Sequence, residues 1–77
     1  MSAKKPDSLR SARLAIEGMT LRRVEQLTGI SNACVSQMET GHIKHPSPLL
    51  LLKLSTVYNV KMKTVLLWVY PELRGEI

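Results

Sequence analysis

Residues 28–41 read TGISNACVSQMETG, and this stretch carries the strongest indication of the fold. Gly29 can adopt the left-handed conformation that ends one helix, and Ser31 is a good N-cap for the next. At about 100° per residue, Val35 and Met38 fall on the side of that helix which docks on the rest of the domain. The opposite side holds small or polar residues where a surface helix usually carries Lys and Glu: Asn32, Ala33, Ser36, Gln37 and Thr40.

The spacing of apolar residues predicts helices on both sides of this stretch. No segment alternates polar and apolar residues between hairpin turns, so no strands are expected. Capping residues and apolar periodicity predict five helices, at about 8–18, 20–29, 31–40, 48–58 and 63–70. The fold class expected is therefore all-α.

Length and composition set the broad class. A chain of 77 residues is expected to form one domain, because it cannot build two separate cores. The first seven residues, MSAKKPD, lack apolar periodicity and are expected to form a flexible basic arm, followed by the folded domain at 8–77. The formal net charge of +5 favours a polyanionic partner such as DNA, RNA or an anionic membrane surface.

Cysteine content and hydropathy exclude several classes of protein. One cysteine excludes an internal disulfide and a zinc site built on several cysteines. The longest apolar runs are too short to span a bilayer, and no secretory leader is evident, so a cytoplasmic location is expected.

Two short helices joined by a tight glycine turn are typical of a helix-turn-helix, whose second helix lies in the DNA major groove. The polar face described above suits that role. Asn and Gln bond adenine bidentately, Ser reads several base edges, and an Ala methyl contacts the thymine methyl. The residues predicted to read bases are Asn32, Ala33, Ser36 and Gln37.

The chain resembles the phage repressor and Cro-like family, also called the xenobiotic-response-element family. In size it is similar to the small controller proteins of restriction-modification systems. The resemblance covers about Leu9 to Leu66 and rests on GMTLRRV at 18–24, TGIS at 28–31, VSQMETG at 35–41, PSP at 46–48 and NVKM at 59–62. It implies a five-helix lambda-repressor-like domain that binds double-stranded DNA.

The resemblance also implies roles for individual residues. The residues implied to contact DNA phosphates are Thr20, Arg22, Arg23, Thr40, His42 and Lys44. An arginine in helix 1 and the late glutamate of helix 3 often pair in this family, which implies a structural ion pair between Arg13 and Glu39. That pairing requires one extra residue in helix 1, and Arg13 does lie on the apolar face of that helix.

Two residues depart from the family pattern. Leu21 stands where a glutamine often begins helix 2, which removes an amide directed at phosphate. Glu25 stands where a small alanine lets helices 2 and 3 approach closely. Either the two helices separate, or the Glu25 carboxylate swings to the edge and pairs with a neighbouring basic residue.

Several of these residues have simpler interpretations. Arg22 and Arg23 also fit an ordinary solvated helix surface. Lys4 and Lys5 either wrap around DNA or solubilise the arm. Cys34 lies beside the residues predicted to read bases, which suggests a redox switch. Free cysteines more often pack as small apolar residues.

Apolar residues near the C-terminus exceed the need of one small core. Such an excess favours a partner surface, and a two-fold homodimer would place paired recognition helices about 34 Å apart. A monomer that uses its last helix to close its own core is the alternative. The residues predicted at the dimer interface are Leu49, Leu50, Leu67, Trp68, Val69 and Tyr70.

These features predict a transcriptional regulator that binds an inverted-repeat operator as a homodimer. The sequence lacks a nucleophile paired with a base, paired carboxylates and a phosphate-cradling glycine loop, so no enzyme is expected. No cofactor is expected, and His42 and His45 without further ligands do not predict a metal. The alternatives are an antitoxin or anti-activator that grips another protein, and a structured-RNA binder, which the lack of aromatic residues in the reading helix disfavours.

Overall fold

The computed structural model describes residues 6–43 and 45–75, with the backbone alone for Arg74. Every regular element within those residues is helical, which confirms the all-α prediction. The elements are α1 (Leu9–Leu14), α2 (Leu21–Thr28), α3 (Asn32–Glu39), α4 (Pro48–Tyr58), α5 (Met62–Val69) and a 3-10 helix at Pro71–Gly75.

The hydroxyl groups of serine and threonine side chains cap the N-termini of four helices. Thr20 Oγ1 accepts a hydrogen bond from Arg23 N at 3.1 Å, and Ser31 Oγ accepts one from Cys34 N at 3.1 Å. Ser8 and Ser47 cap α1 and α4 in the same way. Such a cap satisfies an amide that the helix itself leaves without a partner, and typically contributes about 1 kcal/mol. The predicted N-caps are therefore confirmed.

Several helix boundaries and the C-terminal end differ from the prediction. Helix α1 ends at Leu14, earlier than Gly18, because Ile16 N bonds to Arg13 O at 3.1 Å and tightens the chain into turns. Helices α3 and α5 each end one residue early, and α5 also begins one residue early. The sequence does not predict the 3-10 helix at Pro71–Gly75, because the last predicted helix ends before Pro71.

The core lies where α2, α3, α4 and α5 meet. Its largest fully buried side chains are Val24, Val35, Leu51, Leu54 and Val65. Each of these contributes about 1.5–3 kcal/mol through the apolar surface removed from water. Because every one of the four helices supplies at least one of them, the core fixes α3 against α2 and leaves its other side facing outward.

The turn between α2 and α3 is held by side-chain hydrogen bonds. Thr28 Oγ1 donates to Val24 O at 2.7 Å and accepts from Ile30 N at 3.1 Å. Lys53 Nζ, from α4, donates to Thr28 O at 3.2 Å. Gly29 has φ 79°, the left-handed conformation expected of it. These bonds set the angle at which α3 leaves the turn.

Tyr58 places a hydroxyl group inside the core. Its oxygen is buried and makes no hydrogen bond with the described part of the chain. Burial raises the pKa of Tyr58 to about 12, the nearby Glu39 carboxylate adds to the rise, and the Arg13 guanidinium opposes it. The hydroxyl is therefore a cost to the folded state, and a larger one when ionised.

We expect the Tyr58→Phe variant to be at least as stable as the wild type at pH 8. An unfolded tyrosine ionises near pH 10 and the folded Tyr58 near 12. A raised folded-state pKa gives stability that is present below pH 10 and lost as the pH rises through 12. Between pH 8 and pH 11 the wild type should therefore lose about 1–2 kcal/mol more than Tyr58→Phe.

Urea unfolding at pH 8, 10 and 11 measures this difference. Tyr70→Phe is the matched control for the loss of a tyrosine hydroxyl elsewhere in the chain. Equal alkaline losses in the wild type and Tyr58→Phe would contradict the effect assigned to the buried hydroxyl.

Candidate nucleic-acid interface

The outward face of α3 is composed of small and polar side chains. Val35 is completely buried and Met38 nearly so, and both lie on the inner side of the helix. Asn32, Ala33 and Gln37 are exposed on the outer side. Ser36 is half-buried, so it lies at the edge of this face and not at its centre. We call Asn32, Ala33, Ser36 and Gln37 the α3 outer face.

Glu25 contacts the first residue of α3. Its Oε1 accepts a hydrogen bond from Asn32 Nδ2 at 2.9 Å and a longer one from Asn32 N at 3.4 Å. Neither alternative from the sequence describes this arrangement, because α2 and α3 remain packed and the partner is an amide, not a basic residue. The carboxylate also lies at the positive end of the α3 dipole, where negative charge is favourable.

The beginning of α2 presents the next group of predicted phosphate-binding residues. Thr20 caps α2 with its hydroxyl, and Arg22 and Arg23 are exposed in the first turn. Arg23 Nη1 donates to Gln26 Oε1 at 3.4 Å, a long bond that leaves most of the guanidinium in solvent. A helix N-terminus with exposed arginines is favourable for phosphate.

The end of α3 leads into a short hydrogen-bonded loop. Thr40 Oγ1 lies 3.1 Å from Ser36 O and 2.6 Å from His42 Nδ1. His42 N donates to Gln37 O at 2.9 Å, so the loop folds back on the helix. Both Thr40 and His42 are exposed. Lys44, the remaining residue predicted to contact phosphate, lies outside the described residues, as do Lys4 and Lys5 of the arm.

Arg13 and Glu39 form an ion pair across the domain. Arg13 Nε donates to Glu39 Oε2 at 2.7 Å, and Arg13 Nη2 to Glu39 Oε1 at 3.3 Å, with side chains only 10% and 6% exposed. Arg13 Nη1 also donates to Met19 O at 3.1 Å. The bond to Glu39 raises the pKa of Arg13, while burial lowers it. One guanidinium thus joins α1, the α1–α2 turn and the end of α3.

The residues predicted at a dimer interface differ in how far they are exposed and in whether they pack against the core. Leu49 is 59% exposed on α4. Leu67 is half-buried on α5. The others are half-buried and pack against the core of their own chain: Leu50, Trp68, Val69 and Tyr70. Leu49 is thus the most exposed of the six, and its exposed neighbour Leu52, at 51%, extends the same helix surface.

A cleft of about 480 Å³ lies between the end of α3 and the C-terminal segment. Trp68, Val69 and Tyr70 line one wall, so their outer surfaces are only partly covered by the chain itself. The His45 ring stacks on Tyr70 with centroids 6.2 Å apart. This packing explains why the apolar C-terminal residues are half-buried although they exceed the need of the central core.

Sequence reasoning missed the contact between Glu25 and Asn32. The sequence did give one indication of it, because Glu25 stands where the resemblance implies a small residue. Its partner depends on the distance between two helices, which periodicity does not give. Cys34, the residue considered for redox chemistry, is half-buried and packs against the core.

An α2–turn–α3 unit with a buried inner side and an exposed polar outer side defines a helix-turn-helix protein. The comparisons with known proteins agree. A family model described as helix-turn-helix matches residues 9–65, and the chain belongs to this Cro/C1-type family of DNA-binding regulators. In the same comparisons no curated protein and no solved structure matched the chain. Among the described residues, no helix has the length and apolar character needed to cross a bilayer.

Proposed function

We propose that this protein is a cytoplasmic, sequence-specific transcriptional regulator, acting as a repressor or autoregulator. It binds an inverted-repeat operator as a homodimer and changes promoter access by occupying it. The α3 outer face reads base edges, and the residues that contact phosphates are Thr20, Arg22, Arg23, Thr40, His42 and Lys44.

One observation carries this proposal: α3 buries Val35 and Met38 while Asn32, Ala33 and Gln37 remain exposed on its other side. A helix in this position has no folding reason to keep its outer side free of long charged residues. Short amide and methyl groups are the ones that fit the base edges of the major groove. The exposed Arg22 and Arg23 on α2 supply the charge that attracts the phosphate backbone.

The distinction between base reading and phosphate binding gives the test. Gln37→Ala should cost about 1–3 kcal/mol on the preferred duplex and relax the preference at one base pair. Arg23→Ala should weaken binding to all duplexes about equally and reduce the salt slope by about 1. Fluorescence-anisotropy titrations at two or more salt concentrations, on the preferred duplex and its single-base variants, measure both effects.

Arg10 provides the matched control, because it is an exposed arginine on α1 outside the proposed interface. Arg10→Ala removes the same charge as Arg23→Ala and should leave the affinity much closer to that of the wild type. If Gln37→Ala weakens all duplexes equally, as Arg23→Ala does, the base-reading role of α3 is wrong.

A further inference from the structure

We propose that Glu25 is a positioning residue that sets base specificity, by orienting the Asn32 amide so that its oxygen selects an exocyclic amino group in the major groove. The inference rests on the proposed function, because it requires Asn32 to face DNA. Glu25, a residue of α2, then joins the determinants of specificity, and Asn32 selects a base that carries an exocyclic amino group.

The orientation of the amide follows from what a carboxylate can do. Ionised Glu25 has acceptor atoms only, so the end of the Asn32 amide that approaches it must be the NH₂ group. The 2.9 Å distance from Asn32 Nδ2 to Glu25 Oε1 is that of a good hydrogen bond. Because the amide is planar, Asn32 Oδ1 is then on the side away from that carboxylate oxygen.

A fixed amide reads fewer bases than a free one. Adenine N6 and cytosine N4 are donors in the major groove, whereas guanine O6 and thymine O4 are acceptors. Asn32 Oδ1 accepts from the amino bases and repels the keto oxygens. A free asparagine turns its amide by half a rotation and offers NH₂ to a keto base instead. Glu25 disfavours that second orientation, since it would bring Oδ1 against a carboxylate.

Glu25 has a second effect that an experiment must separate from the first. Its Oε1 also accepts from Asn32 N at 3.4 Å, and its charge lies at the start of α3, so it stabilises the helix. A residue that only stabilises α3 changes the melting temperature and the overall affinity. It does not change the ratio between affinities for amino and keto bases at a single position.

The experiment compares the full chain with Glu25→Gln, Asn32→Ala and the control Glu17→Gln. Glu25→Gln keeps the length of the side chain, but its amide can accept from or donate to Asn32, so both orientations become available. Glu17 is exposed in the α1–α2 turn, and its substitution removes the same charge. Selection from duplexes with a randomised core of about 20 base pairs, enough for two half-sites, gives the preferred site.

Titrations with all four bases at the position affected by Asn32→Ala then give the amino-to-keto ratio. We expect the wild type and Glu17→Gln to prefer the amino base by about five-fold or more, and Glu25→Gln to fall to within about two-fold. If the preferred base is adenine, 2-aminopurine, which lacks the 6-amino group, should bind more weakly than adenine, because Asn32 Oδ1 loses its donor. If it is cytosine, 2-pyrimidinone, which lacks the 4-amino group, should bind more weakly than cytosine for the same reason.

The outcomes separate this inference from the proposed function. If Asn32→Ala flattens the preference but Glu25→Gln keeps the wild-type ratio, Glu25 does not orient Asn32, and the proposed function stands. A lowered melting temperature of Glu25→Gln with an unchanged ratio would equally reduce Glu25 to a helix-stabilising residue. If Asn32→Ala changes no base preference, Asn32 does not read DNA, and both the inference and the role of Asn32 are wrong.

Discussion

Arg13→Ala should destabilise the fold by about 3–5 kcal/mol, the range measured when one partner of a buried ion pair is removed. The variant leaves the Glu39 carboxylate, only 6% exposed, without its guanidinium, and leaves Met19 O without a donor. Native domains are stable by about 5–15 kcal/mol, so a loss of this size brings the chain close to unfolding. Urea unfolding followed by far-UV circular dichroism measures the loss.

Two further variants decide what the ion pair contributes. Arg10→Ala removes an exposed arginine from the same helix and should change stability by no more than about 0.5 kcal/mol. Arg13→Met combined with Glu39→Leu removes both charges and should recover much of the loss, because no unpaired charge stays buried. If Arg13→Ala is no more destabilising than Arg10→Ala, the pair is not a structural element of this fold.

The helices could be predicted from the sequence because their ends depend on local chemistry. Helix α4 has the predicted bounds, since Ser47 and Pro48 begin it and Asn59, with φ 55°, ends it. The end of α1 could not be predicted in the same way. Ile16 packs against the core, and a turn that places it there replaces the last helical turn expected up to Gly18.

The orientation of α3 could likewise be predicted, because helical periodicity determines which residues share a side. Val35 and Met38 lie inside as expected. Periodicity does not show how far a neighbouring helix reaches, so neither the half-burial of Ser36 nor the bond from Asn32 to Glu25 could be anticipated. Both depend on the distance and angle between α2 and α3, which the core side chains set.

For the C-terminal apolar residues, too, the sequence does not show which neighbouring elements cover them. Their number exceeded what one small core needs, which was visible from composition and spacing. Which of them the chain itself covers depends on how α5 and the 3-10 helix fold back on the domain. Trp68, Val69 and Tyr70 pack against the core, whereas Leu49 and Leu52 on α4 project into solvent.

Leu49→Lys should convert the proposed dimer into a monomer and weaken binding to an inverted-repeat duplex by about 10²–10⁴-fold, the range expected when two linked sites become one. Leu49 suits this test because it is 59% exposed, so its substitution leaves the core intact. An added lysine strengthens the general attraction to phosphates, and a loss of affinity would therefore not come from charge. Sedimentation at micromolar concentration measures the oligomeric state.

Leu14→Lys is the matched control, since Leu14 is 60% exposed on α1 and lies outside the proposed interface. It should remain dimeric and keep the wild-type affinity within a few-fold. Both leucines are exposed, so neither substitution places a charge in the core. The lysine at position 49 lies near the start of α4 and costs at most about 1 kcal/mol through the helix dipole. Both variants should therefore stay folded. On a duplex with a single half-site, Leu49→Lys should bind about as well as the wild type, because the α3 outer face of each subunit is unchanged. A wild type that sediments as a monomer, or equal masses for the two variants, would contradict a dimer through α4 and leave each α3 to bind its half-site alone.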